Sequence, residues 1–132
     1  MEIPVELAKT IINEEIDQQI IVLRERGGQQ RSFPIVIGIG EIFAIDRRMK
    51  GIALPRPLTH DLLEQVIEKM GGVIQKVVIS DLRDHTFFAT IHVQRSDDTI
   101  EIDSRPSDAM ALLAGLKIPL FVEEIVFDKL SS

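Results

Sequence analysis

Three short polar clusters hold most of the side chains able to do chemistry: Arg56 to Asp61, Asp81 to Asp84, and Asp103 to Asp108. Each mixes carboxylates with arginine, and each falls at a strand end, a turn or a helix start, where scaffolds present reactive groups. Glu41, an acid at the start of another helical stretch, is a further candidate. Together these are parts for phosphodiester hydrolysis. Carboxylates such as Asp103 and Asp108 suit Mg²⁺ or Mn²⁺, which take oxygen ligands. Arg56, Arg83 and Arg105 can clamp phosphate oxygens, and His60, beside Asp61, can move a proton.

Spacing alone does not single out a mechanism. There is no His-Glu-x-x-His, no phosphate-binding Gly-rich loop ahead of a helix, and no Gly-x-Ser-x-Gly elbow. Each candidate also has an ordinary structural explanation. Asp61, Asp108 and Glu41 stabilise helix N-termini, Asp81 and Asp84 shape a turn through their own backbone, and the arginines form ion pairs with them. His85 and His92 read as surface residues of a turn and of the polar side of a strand. Arg47, Arg48 and Lys50 read as a solvated helix face, and Phe43 beside them as packed.

The elements that must position these groups follow from periodicity. Ile3, Val5 and Leu7 alternate with polar residues as in a half-buried strand, and Pro4, lacking a donor, suits an edge. A hairpin joins about 18–25 to 33–37 through Gly27-Gly28. A helix over about 40–50 buries Ile42, Ile45 and Met49, pairs Asp46 with Lys50, and ends at Gly51. After an extended Pro55-Arg56-Pro57 linker, a second helix covers 59–70. Thr59 is its expected N-cap, with Leu58 stapled on Leu63, and Leu62, Leu63, Val66, Ile67 and Met70 form its buried stripe. Strands follow at 73–80, 86–94 and 99–103, then a helix over 106–116 opened by Pro106, a short strand at 119–122, and an acidic, partly apolar tail. The stretches from Ile35 to Gly51 and from Ile100 to Gly115 share a plan, which suggests a duplicated β-hairpin-helix unit.

Composition bounds the rest. The 132 residues suit one domain over 1–132, with an aliphatic core: six Phe, no Trp and no Tyr. A net charge of −6 disfavours tight binding to a polyanion but leaves room for an enzyme with a local basic patch. Without cysteine there is no disulfide, thiolate metal site or cysteine nucleophile. No apolar run approaches the ~18 residues of a membrane span, and the first residues have no signal-peptide pattern, so a soluble cytoplasmic protein is expected.

In order and spacing, Pro55-Arg56-Pro57-Leu58-Thr59-His60-Asp61-Leu62, the run from Asp81 to Ala89, and the run from Asp103 to Leu112 closely resemble the motifs of the bifunctional nuclease domain family. Phe33-Pro34-Ile35-Val36-Ile37-Gly38 with Glu41 and Ala44 matches that family's passage from strand to helix, and the resemblance covers about 15–125. It implies hydrolysis of both RNA and DNA, an activity attributed to plant members. The sequence departs from the family pattern at His85, usually glycine, at Ser104, usually alanine, and at Asp46-Arg47-Arg48, which replaces a more apolar segment.

The expectation is thus an α+β fold with a mixed, largely antiparallel sheet and about three helices. Two functions compete. The first is a metal-assisted nuclease using His60, Asp61, Asp103, Asp108 and Glu41, with Arg56, Arg83 and Arg105 on substrate. It requires carboxylate oxygens that converge on one point. The second is a non-enzymatic interaction or regulatory module acting as a homo-oligomer, suggested by a mean hydropathy of +0.13 in so small a chain. In that case the acids should disperse into separate arginine pairs.

Overall fold

The computed structural model describes residues 1–132. Seven strands form one sheet: β1 (Glu2–Ile11), β2 (Gln19–Glu25), β3 (Ser32–Ile37), β4 (Gly72–Arg83), β5 (Thr86–Arg95), β6 (Asp98–Ser104) and β7 (Leu120–Glu123). Their spatial order is β3, β2, β1, β7, β4, β5, β6, and every neighbouring pair is antiparallel except β4 with β7. Four helices accompany them: α1 (Ile39–Met49), α2 (Thr59–Lys69), α3 (Pro106–Ala114) and α4 (Glu124–Leu130). The architecture is α+β, as expected, with a fourth helix, α4, formed from the acidic, partly apolar tail.

The chain builds the same unit twice. Three antiparallel strands and a helix, β1-β2-β3-α1, are followed after α2 by β4-β5-β6-α3, and β7 joins the two meanders by pairing with β1 on one side and β4 on the other. Ile21 and Leu23 on β2, Phe33, Ile35 and Ile37 on β3, and Ile91 and Val93 on β5 alternate with more accessible neighbours, whereas Val77, Val78 and Ile79 on β4 are buried in succession and β6 buries no residue. The sheet curls around α3, whose Ala109, Met110, Ala111 and Leu112 are all buried. Each fully buried aliphatic side chain of this kind contributes roughly 1.5–3 kcal/mol. The curl brings the sheet's ends together: Phe33 on the edge strand β3 stacks on Phe87 of β5 with centroids 5.4 Å apart, and Phe127 of α4 meets Phe33 edge-on at 5.5 Å.

Several local expectations are corrected. β1 is internal rather than an edge, and Pro4 is tolerated because pairing with β2 begins at Val5, opposite Glu25. Helix α2 starts with Leu58 as N-cap, its amide donating to Asp61 Oδ2 at 3.0 Å, so Thr59 is already helical. On α1 the inward face is Ile42, Ile45 and Arg48, while Met49 and Phe43 are 53% and 42% exposed. The stripe of α2 is amphipathic as read, but of its members Ile67 alone packs against the core, and Leu62, Leu63, Val66 and Met70 face outward.

Candidate active site

The three long helices present their N-termini to one another. Pro106 at the first helical position of α3 sets Arg105 as N-cap and carries Ser107 and Asp108 into the first turn. Glu41 lies in the first turn of α1 and His60 in that of α2. Asp108 is the centre of the contact: its Oδ1 meets His60 Nε2 at 2.9 Å, and its Oδ2 accepts from Arg105 Nε at 3.0 Å. The Arg105 guanidinium also reaches Glu41 Oε1 at 2.8 Å through Nη1. Glu41 is otherwise saturated, with Ser107 Oγ donating to Oε1 at 2.7 Å and the Gly38 amide to Oε2 at 2.5 Å.

Burial pushes the Asp108 carboxyl up, but the hydrogen bonds from Arg105 and His60 outweigh it and hold it below the ordinary value. Asp108 is therefore ionised at neutral pH and can only accept. His60 Nε2 must be the donor in that pair, and its Nδ1 makes no hydrogen bond within the protein. The same carboxylates raise the Arg105 pKa, the Asp108 hydrogen bond most of all, so the guanidinium stays charged. Arg105 forms one wall of a cleft of about 420 Å³ at the seam of the curled sheet, shared with Glu41, Ser107, Pro34, Phe87 and His85. The turn carrying His85 holds positive φ at both Asp84 (49°) and His85 (65°), which accounts for glycine in the related pattern.

The remaining candidates lie elsewhere. Asp61 belongs to a second ionic cluster, bound by Arg47 Nη2 at 2.8 Å and Arg48 Nη1 at 2.6 Å. Its carboxyl is raised by burial, yet the Arg47, Leu58 and Arg48 hydrogen bonds bring it to about 2. Arg83 pairs with Asp81 at 2.8 Å and lies over the Phe88 ring. Asp103, opposite Thr90 on β6, is on the sheet face away from the helices, is exposed and has no ion-pair partner, and Arg56 is exposed in its linker. No three His, Asp or Glu side chains form a group able to hold a metal ion. Glu41 and Asp108 instead bind different edges of one guanidinium, so this donor set does not fit Mg²⁺ or Mn²⁺.

Sequence reading missed Arg48 as the hub of that second cluster. Only 9% exposed, it donates to the Ala111 and Leu112 carbonyls near the end of α3 and to Glu64, as well as to Asp61. The signal was its i+3 spacing from Ile45, on the inward stripe of α1.

The profile of the bifunctional nuclease domain matches residues 21–132, which includes both ionic clusters. The chain belongs to the bifunctional nuclease domain family. An uncharacterized protein of Mycobacterium tuberculosis is 39% identical over 110 residues, covering 83% of this chain and 65% of the relative. Bifunctional nuclease 1 of Oryza sativa subsp. japonica is 24% identical over 105 residues, or 77% of this chain and 32% of the relative. Bifunctional nuclease 2 of Arabidopsis thaliana is 23% identical over 107 residues, with 79% and 32% covered. The chain thus spans somewhat under two-thirds of the mycobacterial relative and about a third of the plant ones. No helix is long and apolar enough to cross a membrane.

Proposed function

We propose that this chain hydrolyses phosphodiester bonds of RNA and DNA with its own side chains at the junction of the three helix N-termini. The observation that carries the reading is His60 Nε2 held on Asp108 while Arg105 grips the same carboxylate. A base oriented by a carboxylate, next to a fixed cation, is the minimum for attack on a phosphorus centre. The plant relatives named as bifunctional nucleases support the substrate class.

One route serves both polymers only if water, not the ribose 2′-hydroxyl, is the nucleophile. His60 Nδ1 takes a proton from water as its oxygen bonds to phosphorus. The P–O ester bond then breaks, and the proton returns to the departing oxygen, giving a phosphate monoester and a free hydroxyl. Arg105 neutralises charge on the non-bridging oxygens, aided by the partial positive charge of the α3 N-terminus. Asp108 is a positioning residue that fixes the imidazole tautomer.

The test is cleavage of single-stranded RNA and DNA by wild type, His60→Ala and Asp103→Asn, with and without a chelator. The expected result is activity that survives chelation and the Asp103 change but is lost with His60. Activity abolished by chelator, or indifferent to His60, overturns the mechanism. The dispersal of Glu41, Asp61, Asp81 and Asp108 into arginine or lysine pairs favours the rival, a non-enzymatic assembly module. Absence of cleavage on either polymer would select it.

A further inference from the structure

One ionisable side chain of the Arg105 cleft stands outside every ion pair and hydrogen bond of the fold. Three of the lining side chains can carry charge: Arg105, Glu41 and His85. Arg105 is held charged by Asp108 and Glu41, and a guanidinium has no proton to give up. Glu41 accepts from Ser107, Arg105 and the Gly38 amide, so its oxygens are taken. His85 is exposed, and nothing in the protein holds its ring.

Folding does not account for a histidine at this place. His85 is the second central residue of the two-residue turn joining β4 to β5, with φ at 65° after Asp84 at 49°. Glycine fills such a position best, and a side chain there strains the backbone. Strain of this kind collects where a side chain is used.

The site also lacks one chemical part. In phosphodiester hydrolysis the entering and departing oxygens lie on opposite sides of phosphorus. His60 has one free nitrogen, Nδ1, because Nε2 is held by Asp108. That nitrogen cannot serve both sides at once. Neither His60 nor Asp108 lines the cleft, so Arg105 stands between this dyad and the space that His85 borders.

We propose that His85 is the general acid of this site, donating a proton to the departing oxygen of a phosphodiester held on Arg105. The assignment rests on the hydrolysis proposed above and replaces the return of the proton from His60. The water oxygen bonds to phosphorus as one of its protons passes to His60 Nδ1. The P–O bond to the departing oxygen breaks as a proton passes from the His85 imidazolium to that oxygen. His60 is left protonated and His85 neutral, and exchange with solvent resets both. Imidazole suits the task because it gains and loses a proton near neutral pH.

A leaving group that departs without a proton isolates this role. Single-stranded DNA, whose departing alkoxide must be protonated, is compared with the p-nitrophenyl ester of thymidine monophosphate, whose nitrophenolate need not be. His85→Gly and His85→Gln should each lose about 10²-fold more turnover on DNA than on the ester. Glycine suits the turn better and glutamine keeps a hydrogen-bonding side chain, so neither unfolding nor a lost polar contact mimics that pattern. His60→Ala should lose activity on both substrates. Equal losses on the two substrates for the His85 variants, or no loss on DNA, overturn the assignment and leave the hydrolysis reading standing. Wild type that cleaves neither substrate overturns both. A leaving-group-dependent His85 beside an indifferent His60→Ala overturns the base and sustains the acid.

Discussion

The guanidinium of Arg48 occupies the space in which Gly115 would carry a side chain: a Cβ built there lies 2.6 Å from Nη2 and 2.8 Å from Cζ. That guanidinium cannot swing aside, because it is hydrogen-bonded to Ala111, Leu112, Asp61 and Glu64. Gly115→Ala should therefore cost about 1–3 kcal/mol by urea denaturation. Arg48→Ala should cost roughly 2–4 kcal/mol, since it strands two buried carbonyls and two partly buried carboxylates. In an Arg48→Ala background the Gly115→Ala change should become nearly neutral. Additive costs in that double-mutant cycle would show that the close approach is not the cause.

Asp61 makes the same cluster sensitive to acid. Its carboxyl sits at about 2 in the folded chain against an ordinary 3.8, so the unfolded chain binds more protons between those values. Its contribution is complete above about pH 4 and is lost as pH falls towards 2. Because the group is partly solvated, the amount is on the order of 1 kcal/mol. The stability of Asp61→Asn should converge with that of wild type as pH falls through this window. A constant gap from pH 6 to pH 2 would remove Asp61 from the acid response.

His85 should be a poor choice for stability. Its φ of 65° is a conformation that glycine adopts at little cost, and it follows Asp84 in the two-residue turn between β4 and β5. His85→Gly should raise the unfolding free energy by about 0.5–1 kcal/mol, read as a higher thermal midpoint. Since the side chain also borders the Arg105 cleft, cleavage rate measured on the same variant separates a use for the imidazole from a turn that tolerates it. A lowered midpoint would mean that the imidazole's contacts outweigh the backbone strain.

What was legible in the sequence follows the range of each interaction. Strand faces and most helix bounds come from nearest-neighbour patterns, so Phe33, Ile35 and Ile37, or Gly51 at a helix end with φ 67°, could be read directly. The acids of the three clusters could be found but not grouped. Whether Asp108 meets His60, 48 positions away, or Asp61 meets Arg48 is decided by how α2 lies across α1 and α3. The same long-range fact hides the burial of Arg48 among charged neighbours and the exposure of Leu62 and Met70 at core-like spacing. An amphipathic stripe states that a surface wants to be covered, not whether this chain or another covers it.

Asp108 gives the sharpest test of the chemistry, because it acts through His60 and not on substrate. Asp108→Asn preserves shape but presents an amide that can donate to Nε2, which favours the proton on Nδ1 and removes the proposed base. The turnover number should fall by about 10²–10⁴-fold with little change in KM. In wild type, the depressed Asp108 carboxyl keeps the dyad assembled as pH drops through the usual carboxylate range, so loss of this contact belongs below that range. A purely structural Asp108 would instead lower the thermal midpoint while leaving the turnover of the folded fraction intact, and that outcome would move proton transfer away from His60.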